Sequence, residues 1–122
     1  MKFMLIMNVD PTVMENLSEE ESTSLMNGHG AFMETIKESG EMISTHALGD
    51  TAQTAVVRVK GDDVNITDGS FLQTKAFMGG FYLVDCESRE RALELGAMIP
   101  DAKIDGLGVE VRPVMFSGGA DS

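Results

Sequence analysis

Residues 67–85 read TDGSFLQTKAFMGGFYLVD, and this stretch divides the chain into two halves of similar pattern. Asp68-Gly69 predicts a turn, because glycine adopts a positive φ without strain and aspartate bonds to nearby backbone in turns. Gly79-Gly80 predicts a point where another chain segment approaches closely, and an apolar strand is expected over Phe81 to Cys86. The pattern is β-α-β-β before the stretch and β-α-β after it. We therefore interpret the stretch as the hinge of one small domain.

The totals describe an acidic, globular chain. Its 122 residues fit one domain, which we place at residues 1–116, followed by a flexible tail at 117–122. The net charge is −11, without a basic cluster, so neither nucleic acid nor a membrane surface is an expected partner. Residues 1–7 lack the long apolar core of a signal peptide and are interpreted as a strand, so we expect a cytoplasmic location.

Hydrophobic periodicity predicts six strands and two helices. The strands are expected at 2–9, 42–48, 54–60, 64–66, 81–86 and 109–114. The first helix is expected at about 18–39, with a Ser18-x-x-Glu21 capping box, an end at Gly40 and Met26 among its apolar positions. The second helix is expected at about 89–99, with Ala92, Leu95, Gly96 and Ile99 on its inner side. This order favours an α+β fold: a ferredoxin-like two-layer sandwich, with an antiparallel sheet and two helices on one face. Many strands carry apolar residues on both alternating faces. We expect a homodimer to close the face that the helices leave open.

The first predicted helix contains a histidine between two glycines. His29 shares helical spacing with the apolar residues Leu25 and Phe32, and Gly28 and Gly30 flank it. Each glycine inside a helix costs about 1 kcal/mol relative to alanine. The pair therefore indicates that another segment needs close approach to the backbone there.

Several blocks of the sequence, in the same order, resemble the YCII-related family and, within it, the DGPF-domain branch. The blocks are Val64-x-Ile66-Thr67-Asp68-Gly69-Ser70-Phe71, Thr74-Lys75, Gly79-Gly80-Phe81-Tyr82 and Val109-Glu110-Val111-Arg112-Pro113. The resemblance covers nearly the whole chain. It implies a homodimeric domain of the dimeric α+β barrel type, with a cleft between the first helix and the sheet.

The chain departs from the branch at three positions. Ser70 stands where the proline of Asp-Gly-Pro-Phe is expected, and Gln73 and Ala76 replace the acidic residues of Ala-Glu-Thr-Lys-Glu. If those carboxylates perform chemistry in relatives, this chain does not share it.

The founding branch implies an acid–base pair of a first-helix histidine and an aspartate near the end of the second helix. His29 falls at the histidine position. The aspartate position falls at Met98 or Ile99, and Asp101 lies beyond the helix stop at Pro100. The resemblance therefore predicts only half of the pair.

His29 and Asp68 are the candidate catalytic residues. A histidine titrates near neutral pH and can act as a general base, although His29 can also be a core histidine satisfied by a neighbour. Asp68 could orient His29, or it could cap its own turn.

The candidate ligand-binding residues are Arg58, Ser70 and Lys75. The two basic side chains could clamp an anion, or they could simply be solvated. The two histidines and the single Cys86 give no metal-ligand spacing, and no phosphate-binding loop is present, so neither a metal nor another cofactor is expected.

Two functions stay open at this level. The first is a small-molecule enzyme or binder whose cleft uses His29. The alternative is a non-catalytic dimeric interaction or regulatory module. For that alternative, the resemblance implies a link to an extracytoplasmic-function sigma factor.

Overall fold

The computed structural model describes residues 1–119. Its elements follow the chain as β1 (Lys2–Val9), α1 (Pro11–Glu15), α2 (Glu19–Ser39), β2 (Met42–Ala47), β3 (Ala55–Lys60), β4 (Asp63–Asp68), β5 (Phe77–Asp85), α3 (Arg89–Met98) and β6 (Gly108–Pro113). Short 3-10 helices lie at Thr51–Gln53 and Pro100–Lys103. Residues 120–122 of the predicted tail lie outside the described residues. Within the described part, no helix is long and apolar enough to cross a membrane.

The main sheet of the described chain has four antiparallel strands in the order β2-β5-β1-β6. β1 is a central strand between β5 and β6, and Ile6, on the face opposite the helices, is also buried. Pro113, which cannot donate to a ladder, ends the edge strand β6. The architecture is α+β and compatible with the predicted ferredoxin-like fold.

The hydrophobic core lies between this sheet and the two long helices. The sheet contributes Phe3, Leu5, Met7, Tyr82 and Val84, and the helical side contributes Phe32, Ile36, Ala92, Leu95 and Ile99. The predicted inner positions of α3 are buried as expected. Met26, assigned to the apolar stripe of α2, is 74% exposed, so that assignment is wrong.

Local signals set the bounds of α2. Ser18 and Glu21 form the predicted capping box, in which each side chain bonds the other residue's backbone N–H. Gly40 ends the helix in the left-handed conformation at φ 78°. The preceding loop contains the short helix α1, which periodicity did not indicate. Asp10 caps α1 by accepting a bond from the Thr12 N–H, and Pro11 begins it.

β5 begins at Phe77, earlier than expected, so both glycines lie inside the strand. A Cβ at Gly79 would overlap the Val9 side chain, and one at Gly80 would lie 2.8 Å from the His46 carbonyl oxygen. The two glycines therefore let the flanking strands β1 and β2 approach the backbone of β5 closely, as predicted.

β3 and β4 form a separate antiparallel hairpin, joined by a turn in which Gly61 has φ 62°. The cross-strand pairs Val57–Ile66 and Val59–Val64 put four apolar side chains on one face. All four are more than 60% exposed. The hairpin thus presents an apolar face that the described chain does not cover.

Candidate functional site

Three side chains from three elements meet on the helical side of the sheet. His29 Nε2 lies 2.6 Å from Asp101 Oδ1, and His29 Nδ1 lies 2.7 Å from the Tyr82 hydroxyl. The Asp101 residue is only 5% exposed, whereas the His29 side chain is 24% exposed. The imidazole is therefore held from both nitrogens, and it is the more accessible partner of the His29–Asp101 pair.

The absence of a side chain at Gly28 positions the carboxylate. A Cβ there would lie 2.9 Å from Pro100 Cγ, so the proline ring packs directly against the backbone of α2. Pro100 begins a 3-10 helix, and the preceding Ile99 is fully buried. The turn thus places Asp101 beside the imidazole that follows Gly28. Gly30 differs, because a Cβ there would meet nothing within 4 Å.

Strand alternation and ring packing orient Tyr82. It faces the helices together with Leu5, its partner on β1. Its ring meets Phe32 edge-on, with centroids 4.9 Å apart, and lies nearly parallel to the His29 ring at 5.9 Å. These contacts fix the ring independently of its hydroxyl.

A cavity of about 380 Å³ opens beside these three residues. Its walls are mainly apolar, and three of its lining side chains are the methionines Met7, Met14 and Met33. Thr45 also lines it, but the Thr45 hydroxyl donates to the Phe81 carbonyl. The cavity is large enough for a small molecule, and methionine walls adapt readily to shape.

The hydrogen-bond directions follow from the charge on Asp101. A carboxylate oxygen can only accept, so Nε2 carries the hydrogen in its contact with Asp101. In the neutral imidazole Nδ1 is then the acceptor, and the Tyr82 hydroxyl donates to it. Burial, and then Asp101, raise the pKa of Tyr82 to about 12, which keeps this donor protonated.

A model of the YCII-related domain matches residues 1–116. The chain belongs to the YCII-related family. It is also similar to an uncharacterised protein of Rhizobium meliloti (strain 1021), with 30% identity over 105 residues, which cover 86% of this chain and 85% of that protein.

Asp101, which the sequence places beyond the helix stop, contacts His29 in this YCII-related chain. The α-helix does stop before Pro100, but the 3-10 turn brings Asp101 back to the imidazole. Tyr82 was also missed. The signal that could have found it is its position: the chain's one tyrosine lies on the buried face of an apolar strand, where its hydroxyl needs a hydrogen-bond partner.

The other predicted site residues lie elsewhere in this YCII-related domain. Asp68 is exposed at the end of β4, and the Arg58 guanidinium lies 5.5 Å from the centre of the Phe71 ring. Ser70 lines a different cavity, of about 520 Å³, together with Phe71.

Lys75 forms an ion pair with Asp10 at 3.6 Å. His29 is thus the one predicted residue, among those described, that lines the cavity of the His29–Asp101 pair. Within residues 1–119, no cluster of three or more His, Cys, Asp or Glu side chains could hold a metal ion.

The two glycines of α2 provide a matched pair of variants. We expect Gly30→Ala to raise the free energy of unfolding by up to about 1 kcal/mol, because alanine favours the helix and the site is open. Gly28→Ala should lose this gain and displace Asp101 from His29. Denaturant titration, with NMR of the His29 ring, measures both effects. Equal stabilisation with unchanged His29 resonances in both variants would contradict this account of Gly28.

The chain has one tyrosine and no tryptophan, so alkaline absorbance titration reports Tyr82 alone. We expect a phenolate midpoint near pH 12, falling in Asp101→Asn but staying above 10, because burial is the larger cause. The folded pKa exceeds the unfolded value of 10. The associated stabilisation should thus be complete below pH 10 and lost as pH rises from about 10 to 12. A wild-type midpoint at pH 10 would show that Tyr82 is solvated.

Proposed function

We propose that this chain is a small-molecule enzyme or binder in which the His29–Asp101 pair exchanges a proton with a ligand in the adjacent cavity. The observation that carries the proposal is the 2.6 Å contact between Nε2 and a carboxylate that is almost fully buried. Such a partner fixes the tautomer of the imidazole and stabilises its charged form after it accepts a proton. This is the arrangement that general base catalysis requires.

The lining of the cavity favours a neutral, mainly apolar ligand with a carbonyl or hydroxyl group. Among the described residues, neither lysine nor arginine lines the cavity, whereas Asp101 does. The chain carries a net charge of −11, so an anionic ligand would meet repulsion without a counterion. Arg58 and Lys75, the residues considered for an anion clamp, make contacts elsewhere. The Arg58 guanidinium lies over the Phe71 ring, and Lys75 pairs with Asp10.

A lactone and the hydroxy acid formed by opening its ring make a suitable pair of probes. They share one carbon skeleton and differ in charge. We expect a saturated six-membered lactone to stabilise the wild type, by about 1.4 kcal/mol at ten times its Kd, while the hydroxy acid does not. Thermal shift, with NMR of the methionine methyl groups, measures the binding.

His29→Ala should weaken the response to the lactone, and Ser70→Ala, in the other cavity, should leave it unchanged. Preferential binding of the acid, or the same lactone response in His29→Ala as in the wild type, would count against the proposal.

The chain also fits the DGPF-domain branch of the family. Asp68-Gly69, Phe71 and Thr74-Lys75 keep the pattern of the branch, whereas Ser70, Gln73 and Ala76 depart from it. Gly69 has φ 106°, a conformation that explains why glycine follows the aspartate.

The second candidate function is a dimeric interaction module without catalysis, and the hairpin favours it. A two-stranded hairpin is marginally stable alone in water, yet here it exposes Val57, Val59, Val64 and Ile66 together. A second copy would supply a matching apolar face under two-fold symmetry, with Asp68 at its margin. The dimeric α+β barrel arrangement that the family resemblance implies would also bring two copies of the chain together.

Two neighbouring positions on β4 test the homodimer. Ile66 lies on the apolar face of the hairpin and Asn65 lies on the opposite face. We expect a dimer in light scattering for the wild type and for Asn65→Glu, and a monomer for Ile66→Glu, because a buried carboxylate opposes association. A monomeric wild type at micromolar concentration would refute the dimer.

A further inference from the structure

We propose that the hydroxyl of Tyr82 carries the proton between the cavity and His29. The proposal rests on the function proposed above and adds a third working group to it. Tyr82 lines the cavity together with His29 and Asp101, and its hydroxyl contacts the imidazole at 2.7 Å.

Both ring nitrogens of His29 are already hydrogen-bonded, and this is why a proton needs an intermediary between a ligand and the imidazole. Nε2 donates to Asp101, so the basic lone pair of the neutral imidazole is on Nδ1. That lone pair points at the Tyr82 hydroxyl and is not free to meet a ligand. In this geometry, a proton reaches the base of the pair only through the tyrosine oxygen.

The tyrosine oxygen can serve both partners at once. A phenolic hydroxyl has one hydrogen, which bonds Nδ1 here, and its oxygen can also accept a hydrogen bond. A hydroxyl group or a water molecule that reaches this oxygen from the cavity can therefore donate to Tyr82 while Tyr82 donates to His29. The arrangement corresponds to a nucleophile–histidine–aspartate triad, except that the tyrosine relays a proton and forms no covalent bond.

The transfer balances without any other reactant. The O–H bond of the cavity water breaks as its proton moves to the Tyr82 oxygen, and the tyrosine's own proton moves to Nδ1. The water oxygen gains the bonding electron pair and can attack a carbonyl carbon. His29 becomes an imidazolium beside Asp101, and Tyr82 stays neutral throughout. The C–O bond from the carbonyl carbon to the leaving oxygen then breaks, and the imidazolium returns its proton through Tyr82 to that oxygen or, where the leaving group is stable as an anion, to water.

The alternative is that Tyr82 only positions the ring and moves aside, so that a ligand meets Nδ1 directly. The two routes differ in what Tyr82→Phe should do. Phenylalanine keeps the edge-on contact with Phe32 and the stacking on His29, but it removes the hydroxyl. If contact is direct, this change frees the base. If Tyr82 is the relay, it disconnects the base from the cavity.

Hydrolysis of para-nitrophenyl acetate, a neutral ester small enough for the cavity, makes the difference measurable. We expect His29→Gln to lower kcat/KM by about 100-fold or more, the usual contribution of a general base. Tyr82→Phe should lower it to a similar extent, and the double variant should fall no further, because groups that act in series are not additive. His46→Ala tests ester cleavage by the second histidine, whose ring packs on Phe81 although the residue also lines the cavity. Ser70→Ala, in the other cavity, is the control.

The outcomes separate the relay from the function on which it rests. Loss in Tyr82→Phe comparable to that in His29→Gln supports the relay. Full or increased activity in Tyr82→Phe, together with loss in His29→Gln, overturns the relay and leaves the proposed function standing. Equal activity in wild type and His29→Gln, or no activity above background, overturns both.

A second readout excludes a purely structural role for the hydroxyl. In Tyr82→Phe we expect the pH profile of the remaining ester hydrolysis to lose the His29 ionisation, while circular dichroism and the folding midpoint show a folded protein. Nitrogen NMR of wild-type His29 at high pH should show hydrogen on Nε2 and an acceptor at Nδ1. Hydrogen on Nδ1 in the neutral imidazole would reverse the donor order and overturn the relay.

Discussion

The close approach of Pro100 to α2 is the constraint on which the site depends. It requires a glycine at position 28, since any Cβ there would overlap the proline ring. The helix accepts a residue that costs about 1 kcal/mol, and in return Asp101 reaches His29. The buried Ile99 anchors the same turn in the core. Helix packing and the chemistry of the site are therefore determined by one contact.

The sheet contributes Tyr82, the third side chain beside His29 and Asp101, and burial constrains its hydroxyl. Tyr82 could not be buried among apolar side chains unless its hydroxyl had a partner, and His29 provides one. Within the described residues, every buried side-chain nitrogen or oxygen has a hydrogen-bond partner. A complete polar network in an apolar setting holds its groups rigidly.

The sequence predicted what depends on local pattern and missed what depends on a turn between elements. The capping box at Ser18, the glycine end of α2 and the inner positions of α3 are written in residue spacing, and the structure confirms them. Asp101 was set aside because a helix stop was equated with departure from the site. A single 3-10 turn brings Asp101 back to His29, and periodicity carries no signal for it. The exposure of Met26 was missed for a related reason, because spacing does not reveal how wide a face the neighbours cover.

The central position of β1 has a consequence for how the protein folds. Its two partners, β5 and β6, come from the far half of the chain, while the hairpin of β3 and β4 closes within a few residues. Contacts between distant residues form late because loop closure costs entropy. During synthesis the hairpin can pair early. Tyr82 and Asp101 leave the ribosome after His29, so a partial chain that lacks them holds the imidazole without its two hydrogen-bond partners.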